Sequence, residues 1–143
     1  MPDTPETILA FDFGKRRIGV AVGQQVTYSA SALRFVRNDH SGPDWRQIDT
    51  LINDWGPHHL IVGMPINVDG SAPPIAAEVQ KFIRDLARYE LPIEAVDERY
   101  SSLEAEQQLK SERAAGLRGR ITKDMVDSAS AVLIAERWLK KEF

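Results

Sequence analysis

Acidic residues occur at three places where the surrounding sequence predicts buried structure. Asp12 interrupts the apolar segment ILAFDF, Asp97 and Glu98 end the apolar segment IEAVDE, and Asp127 lies near the start of the last helical segment. A carboxylate removed from water costs several kcal/mol unless a cation or hydrogen-bond donors meet it. These acids therefore need a partner.

Asp127 is the most unusual of these acids because it falls on an apolar helical stripe. Helical spacing aligns it with Ala131 and Ile134, and with Trp138 close by. The same spacing directs several polar side chains elsewhere: Ser128, Glu136 and Arg137. The helix dipole favours an acid in the first turn, which explains Asp124 better than Asp127. We therefore expect Asp127 on a buried face.

Carboxylates that converge would raise each other's pKa and destabilise the fold. A divalent cation resolves this conflict, since Mg²⁺ and Mn²⁺ prefer oxygen ligands and are commonly held by a few carboxylates together with substrate phosphates. Two such ions, roughly 4 Å apart, can flank a phosphodiester that is being hydrolysed. The acids thus predict an Mg²⁺ or Mn²⁺ site. Neighbouring strand residues face opposite ways, so Asp97 and Glu98 both remain candidates.

The periodicity predicts one α/β domain spanning residues 1–143. A three-stranded antiparallel meander is expected first, with strands at 7–13, 17–22 and 26–36. Two further strands, at 59–64 and 93–98, alternate with helices and should be parallel to the first. Helices are expected at about 45–55 and 74–89, just beyond Ser101, and after Thr122. A five-stranded mixed sheet flanked by about four helices accounts for this order.

Four segments together resemble a known family: ILAFDFGKRRIGVAVG, IVGMPINVDGS, VDERYSSLEAE and VDSASAVLIAERWL. They look like the blocks of the YqgF family of pre-16S rRNA nucleases, which resembles the Holliday junction resolvase RuvC and has an RNase H-like fold. The resemblance implies a ribonuclease that trims the 5′ end of small-subunit ribosomal RNA precursors during ribosome biogenesis. A resolvase-like DNA endonuclease is the alternative.

The resemblance also implies which acids are catalytic. The family's metal-binding carboxylates fall on Asp12, Glu98 and Asp127, which favours Glu98 over Asp97. The last block departs from the family's frequent Asp-Lys-Ile-Ala-Ala and reads Asp-Ser-Ala-Ser-Ala from Asp127 to Ala131. This departure leaves the acid in place.

Two groups of cations could contact the phosphates of a nucleic acid. Lys15, Arg16 and Arg17 follow Asp12 directly, although a solvated hairpin turn would explain them equally well. The segment from Lys110 to Lys123 carries five cations and one anion. Within it we expect Arg118 and Arg120 to clamp substrate, with a plain charged loop as the alternative.

The bulk composition excludes some classes of protein. The 143 residues carry a net charge of −3 and contain no cysteine, which excludes disulfides and thiolate metal sites. No apolar segment approaches the roughly 20 residues needed to span a bilayer, and the first residues do not resemble a secretory signal, so we expect a cytoplasmic location. The chain could be a monomer or a homodimer.

Two other functions are compatible with the same residues. The Asp-Phe-Gly turn with Lys15 nearby also resembles the phosphate loop of actin-like and sugar-kinase ATPases, although those enzymes use two such domains. The chain could also be a non-catalytic nucleic-acid-binding factor for ribosome assembly. A nuclease assay with Mg²⁺ or Mn²⁺ separates these cases.

Overall fold

The computed structural model describes residues 6–97 and 123–140, with side chains in the last helix described from Ser128 onward. A mixed sheet of six strands lies at its centre. In chain order the strands are β1 (Thr7–Phe13), β2 (Arg17–Gln24), β3 (Ser29–Asp39), β4 (Gly42–Pro43), β5 (His59–Met64) and β6 (Ile93–Asp97). Their order across the sheet is β4-β3-β2-β1-β5-β6. Strands β1, β2 and β3 form an antiparallel meander, whereas β5 and β6 run parallel to β1.

Three α-helices lie within the described residues: α1 (Trp45–Trp55), α2 (Ala76–Leu86) and α3 (Lys123–Leu139). A 3₁₀ turn, Ala87–Tyr89, follows α2. The sequence sets both ends of α1. The Asp44 side chain accepts hydrogen bonds from the backbone N–H groups of Arg46 and Gln47, and Gly56 adopts a left-handed conformation at the other end.

The predicted meander and the two parallel strands are confirmed, but the predicted count of five strands is wrong. The additional strand is β4, in which the two residues Gly42 and Pro43 pair with the end of β3. A strand of that length contains no alternation for a sequence pattern to reveal. The helix expected just beyond Ser101 lies outside the described residues.

The helices cover the sheet on both faces. Helices α1 and α2 pack on one face, where Ile48, Val79 and Phe82 are buried against β1, β2 and β5. Helix α3 packs on the other face, and its buried residues join those of the same three strands. We call these the α2 face and the α3 face. No helix within the described ranges is both long and apolar enough to cross a membrane.

The apolar stripe predicted for the last helix is confirmed for the residues whose side chains are described. Ala131, Ile134 and Trp138 are all buried on the α3 face. The expectation that Ser128 points away from the buried side is wrong, because Ser128 is completely buried. Its hydroxyl is hydrogen-bonded to the sheet backbone, so a polar residue is accommodated there.

Candidate active site at the ends of the central strands

Asp12 lies near the carboxyl end of β1, in the middle of the sheet. Alternate residues of this strand pack on opposite faces: Ile8 and Ala10 join the α3 cluster, whereas Leu9 and Phe11 join the α2 cluster. The alternation assigns Asp12 to the α3 face. The residue is half-buried. A carboxylate at the carboxyl ends of parallel strands is where open α/β sheets usually hold their sites.

Glycines lie on both sides of Asp12. Gly19 is its direct partner in the antiparallel ladder with β2. On the other side, Phe11 is paired with Val62 of β5, and one step further along this register lies Gly63. Neither neighbour has a side chain beside the carboxylate, and a glycine inside a strand often marks a place where a ligand or another backbone approaches closely. The sequence reasoning missed both glycines, although a glycine inside an apolar strand segment is itself a signal.

Asp97 does not share the face of Asp12. It is paired with Met64 of β5, and Met64 packs with the α2 cluster. The preceding residue, Val96, packs with the α3 cluster instead. The backbone carbonyl of Asp97 accepts a hydrogen bond from Nη1 of Arg137 at 2.8 Å, which ties the end of β6 to α3. Glu98 lies outside the described residues.

Asp127 belongs to α3, but its side chain lies outside the described part of the structure. Among the described residues, no group of three or more His, Cys, Asp or Glu side chains could hold a metal ion. Two of the three predicted ligands, Glu98 and the Asp127 side chain, lie outside these described residues. The convergence of the three acids therefore stays a prediction.

The basic turn beside Asp12 is firmly held by β3. Lys15 and Arg16 are exposed on the turn between β1 and β2. The side-chain amide of Asn38 donates to the carbonyl of Gly14 at 2.6 Å, and its backbone N–H donates to the carbonyl of Arg16 at 3.0 Å. A Cβ atom on Gly14 would lie 2.5 Å from the carbonyl oxygen of the residue that starts β2. The turn therefore presents its two cations from a fixed backbone.

Arg17, the third predicted cation, is placed differently. It is half-buried, and its guanidinium lies 5.4 Å from the centre of the Phe35 ring, within the range of a cation–π interaction. Arg17 is also the ladder partner of Arg37, so two cations are opposite each other at this end of β2 and β3. Arg118 and Arg120 lie outside the described residues.

The loop after β5 forms a closed turn. Oδ1 of Asp69 accepts hydrogen bonds from the backbone N–H of Ser71 at 2.9 Å and from its hydroxyl at 2.6 Å. These bonds lower the pKa of Asp69 below its usual value. Asn67 donates to the same hydroxyl at 2.9 Å. The polar residues of this loop are thus used in stabilising the turn.

Sequence comparisons find relatives that match nearly the whole chain. The model of the RuvX family, described as a Holliday junction resolvase, matches residues 6–141. A protein of Edwardsiella ictaluri (strain 93-146) named "Putative pre-16S rRNA nuclease" is 41% identical over 140 residues, which cover 97% of this chain and 98% of the relative. A protein of the same name from Pectobacterium atrosepticum is 42% identical over 137 residues, covering 95% of this chain and 96% of the relative.

Solved structures share the fold at low sequence identity. The yeast mitochondrial Holliday junction resolvase Ydc2 matches with a TM-score of 0.56 and 12% identity, over 96% of this chain and 80% of that protein. RuvC of T. thermophilus in complex with a Holliday junction substrate matches with a TM-score of 0.54 and 13% identity, over 94% and 93% of the two chains. The fold is therefore that of the RuvC-like, RNase H-like resolvases.

The fold and the relatives together define a nuclease of the RNase H-like class. The chain belongs to the RuvX family within that class. The resemblance identified in the four sequence segments is confirmed.

Proposed function

We propose that this protein is a divalent-metal-dependent nuclease that trims the 5′ end of pre-16S rRNA. The position of Asp12 carries the proposal: a half-buried carboxylate at the end of the central strand, with a glycine on either side. The names of its relatives support the substrate, since proteins about 41% identical over nearly the whole chain are named pre-16S rRNA nucleases.

The described surroundings of Asp12 fit an Mg²⁺ or Mn²⁺ ion. Asp12 offers carboxylate oxygens, which are the ligands that these small, hard ions prefer, and its neighbours Gly19 and Gly63 have no side chain that would compete for the ion. We assign Asp12, Glu98 and Asp127 as the metal ligands and as the catalytic acids. When bound, such an ion would supply an activated water and stabilise the charge that develops on the leaving oxygen.

The family resemblance implies Glu98 as the ligand, and the alternation of β6 supports it over Asp97. Val96 packs on the face that carries Asp12, whereas Asp97 is in register with Met64 of the opposite face. If the alternation continued for one more residue, Glu98 would share the face of Asp12. Asp97 would instead act through its backbone, as the acceptor for Arg137.

Substrate binding would rest on the cations. Lys15 and Arg16 are exposed on the fixed turn beside Asp12, where they could contact phosphates on one side of the cleaved bond. Arg17 would add a third contact from its position over Phe35. We assign Arg118 and Arg120 to a second contact region that clamps the same nucleic acid.

Cleavage of a four-way DNA junction is the second candidate activity. The family model is described as a Holliday junction resolvase, and the fold matches that of RuvC in complex with a junction. A resolvase that cuts two strands symmetrically needs a twofold dimer, whereas an enzyme that trims one RNA end can act as a monomer. The oligomeric state in solution therefore helps to separate the two candidates.

The test compares cleavage of an RNA carrying the 16S precursor 5′ extension with cleavage of a four-way DNA junction. Each is incubated with Mg²⁺, with Mn²⁺ and with EDTA. We expect metal-dependent cleavage of the RNA, abolished by Asp12→Asn with binding retained, and unaffected by Asp54→Asn on the exposed side of α1. Cleavage of the junction alone would favour the second candidate. Salt-sensitive binding without cleavage would indicate a non-catalytic assembly factor.

A further inference from the structure

The ladder between β2 and β3 contains an irregularity close to Asp12. Ile18 is paired with Val36, but the next pair joins Val20 to Leu33. One residue of β2, Gly19, therefore faces two residues of β3. Such a bulge interrupts the ladder and leaves backbone groups without their usual strand partner. Since Gly19 is also the ladder partner of Asp12, the bulge is one strand away from the acid.

The hydroxyl of Ser128, on α3, forms hydrogen bonds with backbone groups at this bulge. It accepts a hydrogen bond from the backbone N–H of Val20 at 3.1 Å and donates one to the carbonyl of Leu33 at 2.8 Å. One side chain thus joins two backbone groups that belong to paired residues of neighbouring strands. Ser128 is 0% exposed, so its hydroxyl is not available as a nucleophile or as a ligand for substrate.

These two bonds fix α3 in a way that its apolar contacts do not. The apolar part of the interface includes Ala131, Ile134 and Ala135, whose packing against the sheet is not directional. Hydrogen bonds have preferred distances and angles, so they set both the rotation of the helix and its position along the sheet. At the other end of α3, Trp138 donates to the carboxylate of Glu94.

We propose that Ser128 is a positioning residue that sets the place of Asp127 relative to Asp12. Asp127 precedes Ser128 in the same helix. The hydroxyl of Ser128 is hydrogen-bonded to Val20 of β2, which follows Gly19, the ladder partner of Asp12. The inference rests on the proposed function, because it assumes that both acids hold the metal ion. It adds a residue that touches neither metal nor substrate and acts only through the register of α3 against the sheet.

The experiment compares Ser128→Ala and Ser128→Thr with the parent protein and with Ile48→Val, a mildly destabilising control in the opposite helical layer. Hydrogen exchange of the Val20 amide reports the bond itself. Mn²⁺ affinity, measured by electron paramagnetic resonance, reports the site without requiring cleavage. Removing a residue that orients metal ligands typically weakens metal affinity about 10- to 100-fold.

We expect Ser128→Ala to speed exchange of the Val20 amide and to weaken Mn²⁺ binding about tenfold, with a parallel loss of cleavage. Ser128→Thr keeps the hydroxyl and should stay near the parent, and Ile48→Val should leave Mn²⁺ affinity unchanged. Parental Mn²⁺ affinity in Ser128→Ala, or equal losses in Ser128→Ala and Ile48→Val, would overturn the positioning role. Parental Mn²⁺ affinity and cleavage in Asp12→Asn would instead overturn the proposed function.

Discussion

Asp12 and Gly19 are direct partners across the ladder of β1 and β2, and the β2–β3 ladder changes register at the same glycine. The only acid on β1 thus faces a residue without a side chain, next to a bulge. Bulges are frequent beside active sites, where they redirect the chain locally. This relationship suggests that the absence of a side chain at position 19 matters for the site around Asp12.

A methyl group at Gly19, a buried position beside Asp12, should therefore impair catalysis. We expect Gly19→Ala to reduce cleavage about 100-fold, since displacing a reacting group by about 1 Å can cost that much. The control is Ala95→Val, which enlarges an exposed residue of β6. Cleavage rates with saturating metal, together with urea unfolding of both variants, decide the matter. Cleavage by Gly19→Ala at the wild-type rate would mean that catalysis does not require the absence of a side chain at position 19.

Asn38 should stabilise both the fold and the basic turn. Asn38→Ala leaves the carbonyl of Gly14 without its 2.6 Å donor, and the loss of such a partly buried hydrogen bond costs about 0.5–1.5 kcal/mol. We expect the free energy of unfolding to fall by that amount and nucleic-acid affinity to fall with it. Asn53→Ala, an exposed residue of α1, is the matched control. Unchanged affinity in a destabilised Asn38→Ala protein would show that the turn does not need this support.

Lys15 and Arg16 should account for part of the salt dependence of binding. Each phosphate contact that is lost reduces the slope of log K against log salt by about 0.7 for a single strand and about 0.9 for a duplex. We expect the double variant Lys15→Ala, Arg16→Ala to flatten the slope by one to two such increments. The double variant Arg46→Ala, Arg84→Ala removes two exposed cations of α1 and α2 and should leave the slope as it is. Equal slopes in both double variants would show that the turn does not contact the phosphates of the nucleic acid.

Acid should weaken the turn that follows β5. The hydrogen bonds from Ser71 lower the pKa of Asp69 below its usual value. A carboxyl whose folded pKa is depressed contributes stability above its unfolded pKa, and this contribution is lost as the pH falls through the folded pKa. We expect Asp69→Asn to be less stable than the parent at pH 7, with the difference shrinking below about pH 4. A difference in unfolding free energy that is the same at pH 7 and pH 3 would contradict this.

The sequence predicted most of the sheet because apolar segments dominate its strands. The bounds of β1 and β5 match the segments TILAFDF and HLIVGM. Strand β3 begins at Ser29, three residues later than expected from Val26. Val26 is apolar but 66% exposed, and Tyr28 has a φ of 52°, so these residues belong to the turn. An apolar residue in a turn resembles the start of a strand when only periodicity is considered.

The parts of the site that the sequence did not reveal depend on backbone groups. Helical periodicity predicted that Ser128 points away from the core, because periodicity considers only the polarity of side chains. It cannot detect backbone groups that lack a partner at a bulge far away in the sequence. Asn38 was missed for the same reason, since its partners are the carbonyls of Gly14 and Arg16. Asp12 was identified because a carboxylate inside an apolar strand is anomalous by its side chain alone.

The most direct test of the account is a crystal structure of the protein soaked with Mn²⁺, with the ions located by anomalous scattering. The account predicts a peak in direct contact with the carboxylate of Asp12, with the side chains of Glu98 and Asp127 completing the coordination. A structure in which these three carboxyl groups lie apart, or in which Mn²⁺ binds elsewhere and leaves Asp12 without an ion, would contradict it.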